Sequence, residues 1–138
     1  MPVTPKAFAR SYKNNAIETA SPGKLILMLY DGTLRFIGEA RKGFSEESYI
    51  RRNEIVNNNI LRAQRIVVEL QASLDMKVGG EFSETMYKLY DFVHDQLRDA
   101  NVKKDESFLE SSEQVVHELR DAWAEMLNQQ ESPSTTHA

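Results

Sequence analysis

Val56, Ile60, Ala63, Val67, Leu70 and Leu74 stand at intervals of four, three, four, three and four residues. Only an α-helix brings such positions onto one face, and a stripe this narrow and this long is a seam against other helices. A strand is excluded, because its faces alternate every second residue. Ser45 or Ser48 can cap the start of this helix. The rest of the chain conforms. Prolines fall only at positions 2, 5, 22 and 133, and no segment alternates apolar and polar residues convincingly.

Ahead of this seam, Ser21-Pro22 is a helix start: a hydroxyl to cap free backbone N–H groups, then a residue already fixed at helical φ. Six apolar or aromatic residues follow without a break, Leu25 to Tyr30. A helix apolar nearly all round must bury more than one face. This first helix is expected from Pro22 to about Arg41, with an end near Gly43. Gly79-Gly80 is the firmest break in the chain. A third helix then runs to about Ala100, with Phe82, Met86, Leu89, Val93, Leu97 and Ala100 on one side. Asn101 can stop it, and Asp105 can cap a fourth helix that buries Leu109, Val116, Leu119, Trp123 and Met126. The expected fold is all-α: an antiparallel up-down four-helix bundle over residues 21–127, an irregular N-terminal arm over 1–20 and a disordered polar tail over 128–138. Leu29-Tyr30-Asp31 recurs sixty residues later as Leu89-Tyr90-Asp91, a repeat that chance or a shared packing need explains better than duplication.

The composition removes several functions. There is no cysteine, so disulfides and thiol catalysis are out. No apolar run approaches the roughly 18–20 residues that cross a bilayer, and no signal-peptide core stands at the start, so a cytoplasmic protein without membrane insertion is expected. His94, His117 and His137 stand singly, outside any metal-ligand spacing, and Glu113, four residues before His117, makes only a helix-surface pair. Gly79-Gly80-Glu81 lacks the pattern of a phosphate loop. Neither catalysis, nor a cofactor, nor a metal is expected. The net charge of −4 and the acidic run from Asp105 to Glu131 argue against nucleic acid. Arg51, Arg52, Arg62 and Arg65 keep a small RNA-binding bundle as a minor alternative.

A binding module fits better, because the chain holds more apolar residues than one narrow core requires. Ile26, Tyr30 and Ile37 share a side of the first helix, with Leu25, Met28 and Leu29 spilling around it. Ile55, Leu61, Ile66 and Val68 lie outside the seam of the second, and Tyr87, Tyr90 and Phe92 add to the third. Such a surplus serves either a well-filled core or homodimer, or a groove for a partner. Asn57-Asn58-Asn59 lowers helix stability and is either solvated surface or a set of amides for an extended partner's backbone.

At these residues the chain resembles a known family, the flagellar secretion chaperones called FliS. The resemblance spans Tyr12 to Trp123. Tyr12 to Leu25, continuing through Leu29-Tyr30-Asp31-Gly32, is similar to the family's N-terminal signature. Arg62-Ala63-Gln64, Glu69-Leu70, Leu74-Asp75 and Gly79-Gly80-Glu81 resemble its second helix and the next turn. Leu89-Tyr90-Asp91, Ala100-Asn101 and Arg120-Asp121-Ala122-Trp123 resemble its later signatures. The resemblance implies a chaperone in the bacterial cytosol that binds the disordered C-terminal segment of flagellin. It would prevent premature polymerisation and deliver its client to components of the flagellar type III export apparatus. It also implies that the arm, with Tyr12 and Ile17, packs near the client groove. The expected partner-binding residues are Tyr12, Ile17, Leu25, Leu29, Asn57, Ile60, Ala63, Gln64 and Val67. The alternative is a helical adaptor or dimerisation module for another protein, and a homo-oligomer is compatible with either reading.

Overall fold

The computed structural model describes residues 21–131, and they form four helices with no strand. These are α1 (Pro22–Gly43), α2 (Tyr49–Ala72), α3 (Gly80–Lys103) and α4 (Ser107–Glu131). Each packs against its neighbours in sequence, and α4 closes the ring on α1, so α1 stands diagonal to α3 and α2 to α4. Side chains fix the directions. Trp123 Nε1 donates to the Gly23 carbonyl at 2.8 Å, joining the end of α4 to the start of α1. Arg41, at the other end of α1, reaches Glu106 at 3.0 Å and Glu113 at 2.8 Å near the start of α4. The bundle is antiparallel and up-down, as expected.

The helix boundaries follow local chemistry. Ser21 Oγ accepts from the Lys24 N–H, and Ser48, not Ser45, does the same for Arg51 N–H. Between α2 and α3, Asp75 Oδ1 accepts from the backbone of Lys77 and Val78. Both glycines of the break are required there. Gly80 has φ +54, and a Cβ on Gly79 would stand 1.7 Å from Ser83 Oγ. Helix α3 does not stop at Asn101: it runs to Lys103, and Lys104 closes it in the left-handed conformation, φ 50. Asn101 instead spends its amide on a neighbouring helix. Helix α4 runs to Glu131, four residues past the expected end of the bundle at 127, and Leu127 packs on the first turn of α1, beside Gly23.

The α2 seam is buried as read from Val56 through Ile60, Ala63 and Val67 to Leu70, all inaccessible to water, while Leu74, its expected last member, lies past the end of the helix at Ala72 and is half-buried. The buried seam residues meet Tyr30, Ile37 and Ala40 of α1, Tyr90, Val93, Leu97 and Ala100 of α3, and Leu109 and Val116 of α4 in one cluster. Buried Thr33 and Ser112 return their hydroxyls to their own helices, at Leu29 O and Phe108 O. On α3 Val93, Leu97 and Ala100 are buried as expected, but in the first half of the helix the buried positions are Ser83 and Tyr90, one residue after the expected Phe82 and Leu89. Tyr90 is interior where Leu89 was expected, and Phe82 is 65% exposed. The reason lies across the core. The Tyr30 and Tyr90 hydroxyls hydrogen-bond to each other from diagonal helices, so the shared Leu-Tyr-Asp tripeptide is a packing need. Burial pushes both phenols above their ordinary range.

Candidate partner-binding surface

Beside its buried seam, α2 carries Asn57, Gln64 and Gln71, seven residues apart and therefore on one face. All three reach α3. Asn101 Nδ2 donates to Asn57 Oδ1 at 2.8 Å. Gln64 Nε2 approaches the His94 carbonyl at 3.5 Å, a long contact. Gln71 Nε2 donates to Asp91 Oδ1 at 2.9 Å and to the Tyr87 carbonyl at 3.3 Å. The amides thus form a polar ladder along the rim of the α2–α3 interface. Just outside it on α2 are Leu61 and Val68, 40% and 47% exposed, and on α3 Tyr87, whose carbonyl meets Gln71, is 42% exposed. Apolar side chains with peptide-like amides between them make a track suited to another polypeptide, since both parts of a chain find a counterpart.

The sequence-predicted partner residues divide sharply. Leu25, Leu29, Ile60, Ala63 and Val67 are buried in the bundle, the last four within its core cluster. Asn57 and Gln64 are half-buried on the ladder. Tyr12 and Ile17 lie outside the described residues. Of the apolar surplus, Tyr30, Ile37 and Tyr90 are covered, whereas Leu61, Val68, Tyr87 and Phe92 are not. The asparagine run also divides: Asn57 faces α3, Asn58 is exposed, and Asn59 bonds back to the Ile55 carbonyl. Leu61 and Val68 were legible as off-seam residues, and their spacing of seven marked them as one stripe. The register of α3, which decides what lies opposite them, was not legible.

Charges are arranged for solubility and for fastening helices. Arg120 ties α4 to α1 at Asp31 Oδ1, 2.8 Å away. His117 faces Asp121 at 3.5 Å, while Glu113, its expected partner, serves Arg41. Arg62 lies over the Phe36 ring, 5.7 Å from its centre, and Arg52 over Tyr49 at 5.5 Å. Glu69, on α2, has one carboxylate oxygen buried without a hydrogen-bond partner, and desolvation pushes its carboxyl above the usual range. Among the described residues no group of three metal-ligating side chains converges, and no helix is long and apolar enough to cross a membrane.

A family model described as flagellar protein FliS matches residues 4–130. The flagellar secretion chaperone FliS of Bacillus subtilis is 37% identical over 117 residues, covering 85% of this chain and 84% of the relative. The protein of the same name from Campylobacter jejuni is 33% identical over 118 residues, covering 86% and 89%. That from Salmonella typhimurium is 30% identical over 121 residues, covering 88% and 87%.

Proposed function

This chain belongs to the FliS family of flagellar proteins, and we propose that it is the cytoplasmic chaperone of its organism's flagellin. In this reading it binds the disordered C-terminal segment of flagellin, prevents premature polymerisation and hands the subunit to the flagellar type III export apparatus. The observation that carries the reading is the stripe of Leu61 and Val68 beside the ladder of Asn57, Gln64 and Gln71. A disordered client must satisfy its backbone and bury its apolar side chains in one event, and this track offers both. The ordering cost of such coupled folding keeps binding reversible, as delivery requires.

The members of the expected site then have different parts. Asn57 and Gln64 touch the client, joined by Leu61 and Val68. Leu25, Leu29, Ile60, Ala63 and Val67 hold the track in shape from beneath. Tyr12 and Ile17 complete the site from the arm, so Tyr12→Ala with Ile17→Ala weakens client binding and leaves the bundle folded. The test is the polymerisation of purified flagellin onto filament seeds, followed by light scattering. An equimolar amount of the chain delays polymerisation, and the Leu61→Asp, Val68→Asp double variant, with unchanged circular dichroism, does not. A double variant as effective as the native chain removes the α2 track from the account.

A further inference from the structure

At the end of the bundle where α1 and α3 finish and α2 begins, a cleft of about 390 Å³ opens beside the Asn57–Asn101 end of the amide ladder, opposite its Gln71–Tyr87 end. Its lining is Phe44, Tyr49, Arg52, Asn53, Val56 and Lys104. Val56 is fully buried and Phe44 half-buried, giving an apolar floor. Two cations stand at this floor. The Arg52 guanidinium is held over the Tyr49 ring and donates to the Glu46 carbonyl at 3.3 Å. The Lys104 ammonium donates to Asn101 Oδ1, which belongs to the residue that also bonds Asn57. Neither cation joins an ion pair among the described residues, whereas Arg41, Arg98 and Arg120 all do. Burial lowers the proton affinity of Lys104, so a nearby anion would relieve it.

Lys104 also occupies a conformation that a lysine does not favour. Its φ and ψ are both 50°, the left-handed region in which helices end most cheaply on glycine. Glycine at this position would keep the cap and remove only the cation.

We infer that this cleft receives the C-terminus of a bound polypeptide. Arg52 and Lys104 take the terminal carboxylate, and the last side chain lies on Phe44 and Val56. A chain terminus is the ligand that carries an apolar group and an anion on one residue, which matches a floor and a charged rim in a space of roughly two side chains. Inorganic phosphate would leave Phe44, Tyr49 and Val56 uncovered. The inference rests on the chaperone reading above, because the client's C-terminal segment brings a free carboxylate.

The test is calorimetric titration of the full chain with a synthetic peptide of its own flagellin's C-terminal segment, as the free acid and as the C-terminal amide. The free acid binds about tenfold tighter, the worth of one charge-assisted pair. In Lys104→Gly the acid and the amide bind alike, and the melting temperature does not fall, because glycine suits the left-handed cap. Arg52→Gln loses the preference in the same way. Equal affinity of acid and amide for the native chain overturns the inference and leaves the chaperone reading standing. Failure of both peptides to bind overturns both. Inorganic phosphate that abolishes the preference at matched ionic strength shows a general anion site and also overturns it.

Discussion

Replacing Tyr30 or Tyr90 by Phe removes one hydroxyl and strands the other in the centre of the core. Both residues are nearly inaccessible to water, and each hydroxyl's partner is the other. An unsatisfied buried hydroxyl costs about 1–3 kcal/mol, so each single variant is destabilised by about 2 kcal/mol. The double variant has no polar group left to strand, and phenylalanine keeps the ring contacts. Its loss is therefore about 1 kcal/mol or less, and the coupling between the two positions is about 3 kcal/mol. With a urea m-value of about 2 kcal/mol/M, each single change lowers the midpoint by about 1 M, and the double change by about 0.5 M or less. Equilibrium unfolding followed by circular dichroism reads these shifts directly. The pair also sets the alkaline limit. Burial holds both protons in the fold, so the unfolded chain ionises first as pH rises past about 10, and stability then falls with rising pH. The double Phe variant is free of that loss. Additive single effects, with a double variant some 4 kcal/mol below the native chain, would falsify the bridge.

Trp123 is half-buried against the core and donates to Gly23, so Trp123→Ala costs about 3 kcal/mol by thermal or urea unfolding, and Trp123→Phe about 1 kcal/mol; a loss below 1 kcal/mol for alanine places the indole outside the fold's supports. Gly38 has open space where a Cβ would be, so Gly38→Ala stabilises α1 by about 0.5–1 kcal/mol. At Gly43 the same Cβ would stand 2.7 Å from Ile55 Cγ2 and 3.2 Å from Val56 Cγ2, and Gly43→Ala costs about 1–3 kcal/mol; equal melting temperatures for the two variants contradict the close α1–α2 approach. Glu69 binds its proton more tightly in the fold than in the unfolded chain, so its contribution is full in acid and is lost as pH rises through the raised value. Glu69→Gln therefore gains stability over the native chain near neutrality, and the gain shrinks as pH falls towards 4; a variant less stable at pH 7 refutes the desolvated carboxylate.

The helices and the α2 seam were legible in the sequence because each rests on neighbours in the chain: Ser21 and Ser48 on the next turn, Gly79 and Gly80 on a local turn, the 56–70 stripe on helical period alone. Phe82 and Tyr90 were misplaced because the face that α3 buries is chosen by a partner sixty residues away, at Tyr30. Asn101 was read as a stop for a similar reason, since its amide is committed to Asn57 on α2. The candidate site shows the same division. Asn57 and Gln64 were found from residue type and position, but period cannot tell a buried Ile60 from an exposed Leu61 until the neighbouring helices are placed. The cleft at Arg52 and Lys104 joins a helix start to a helix end fifty-two residues on, and no local pattern announces it.

The most direct test of the chaperone account is calorimetric titration of the folded chain with its own flagellin's C-terminal segment, using the flagellin N-terminal segment as control. The account predicts saturable binding of the C-terminal segment alone, with a negative heat-capacity change from apolar burial and a gain in the peptide's helical or ordered signal. Absence of binding by that segment, with the chain folded and the segment intact, contradicts it.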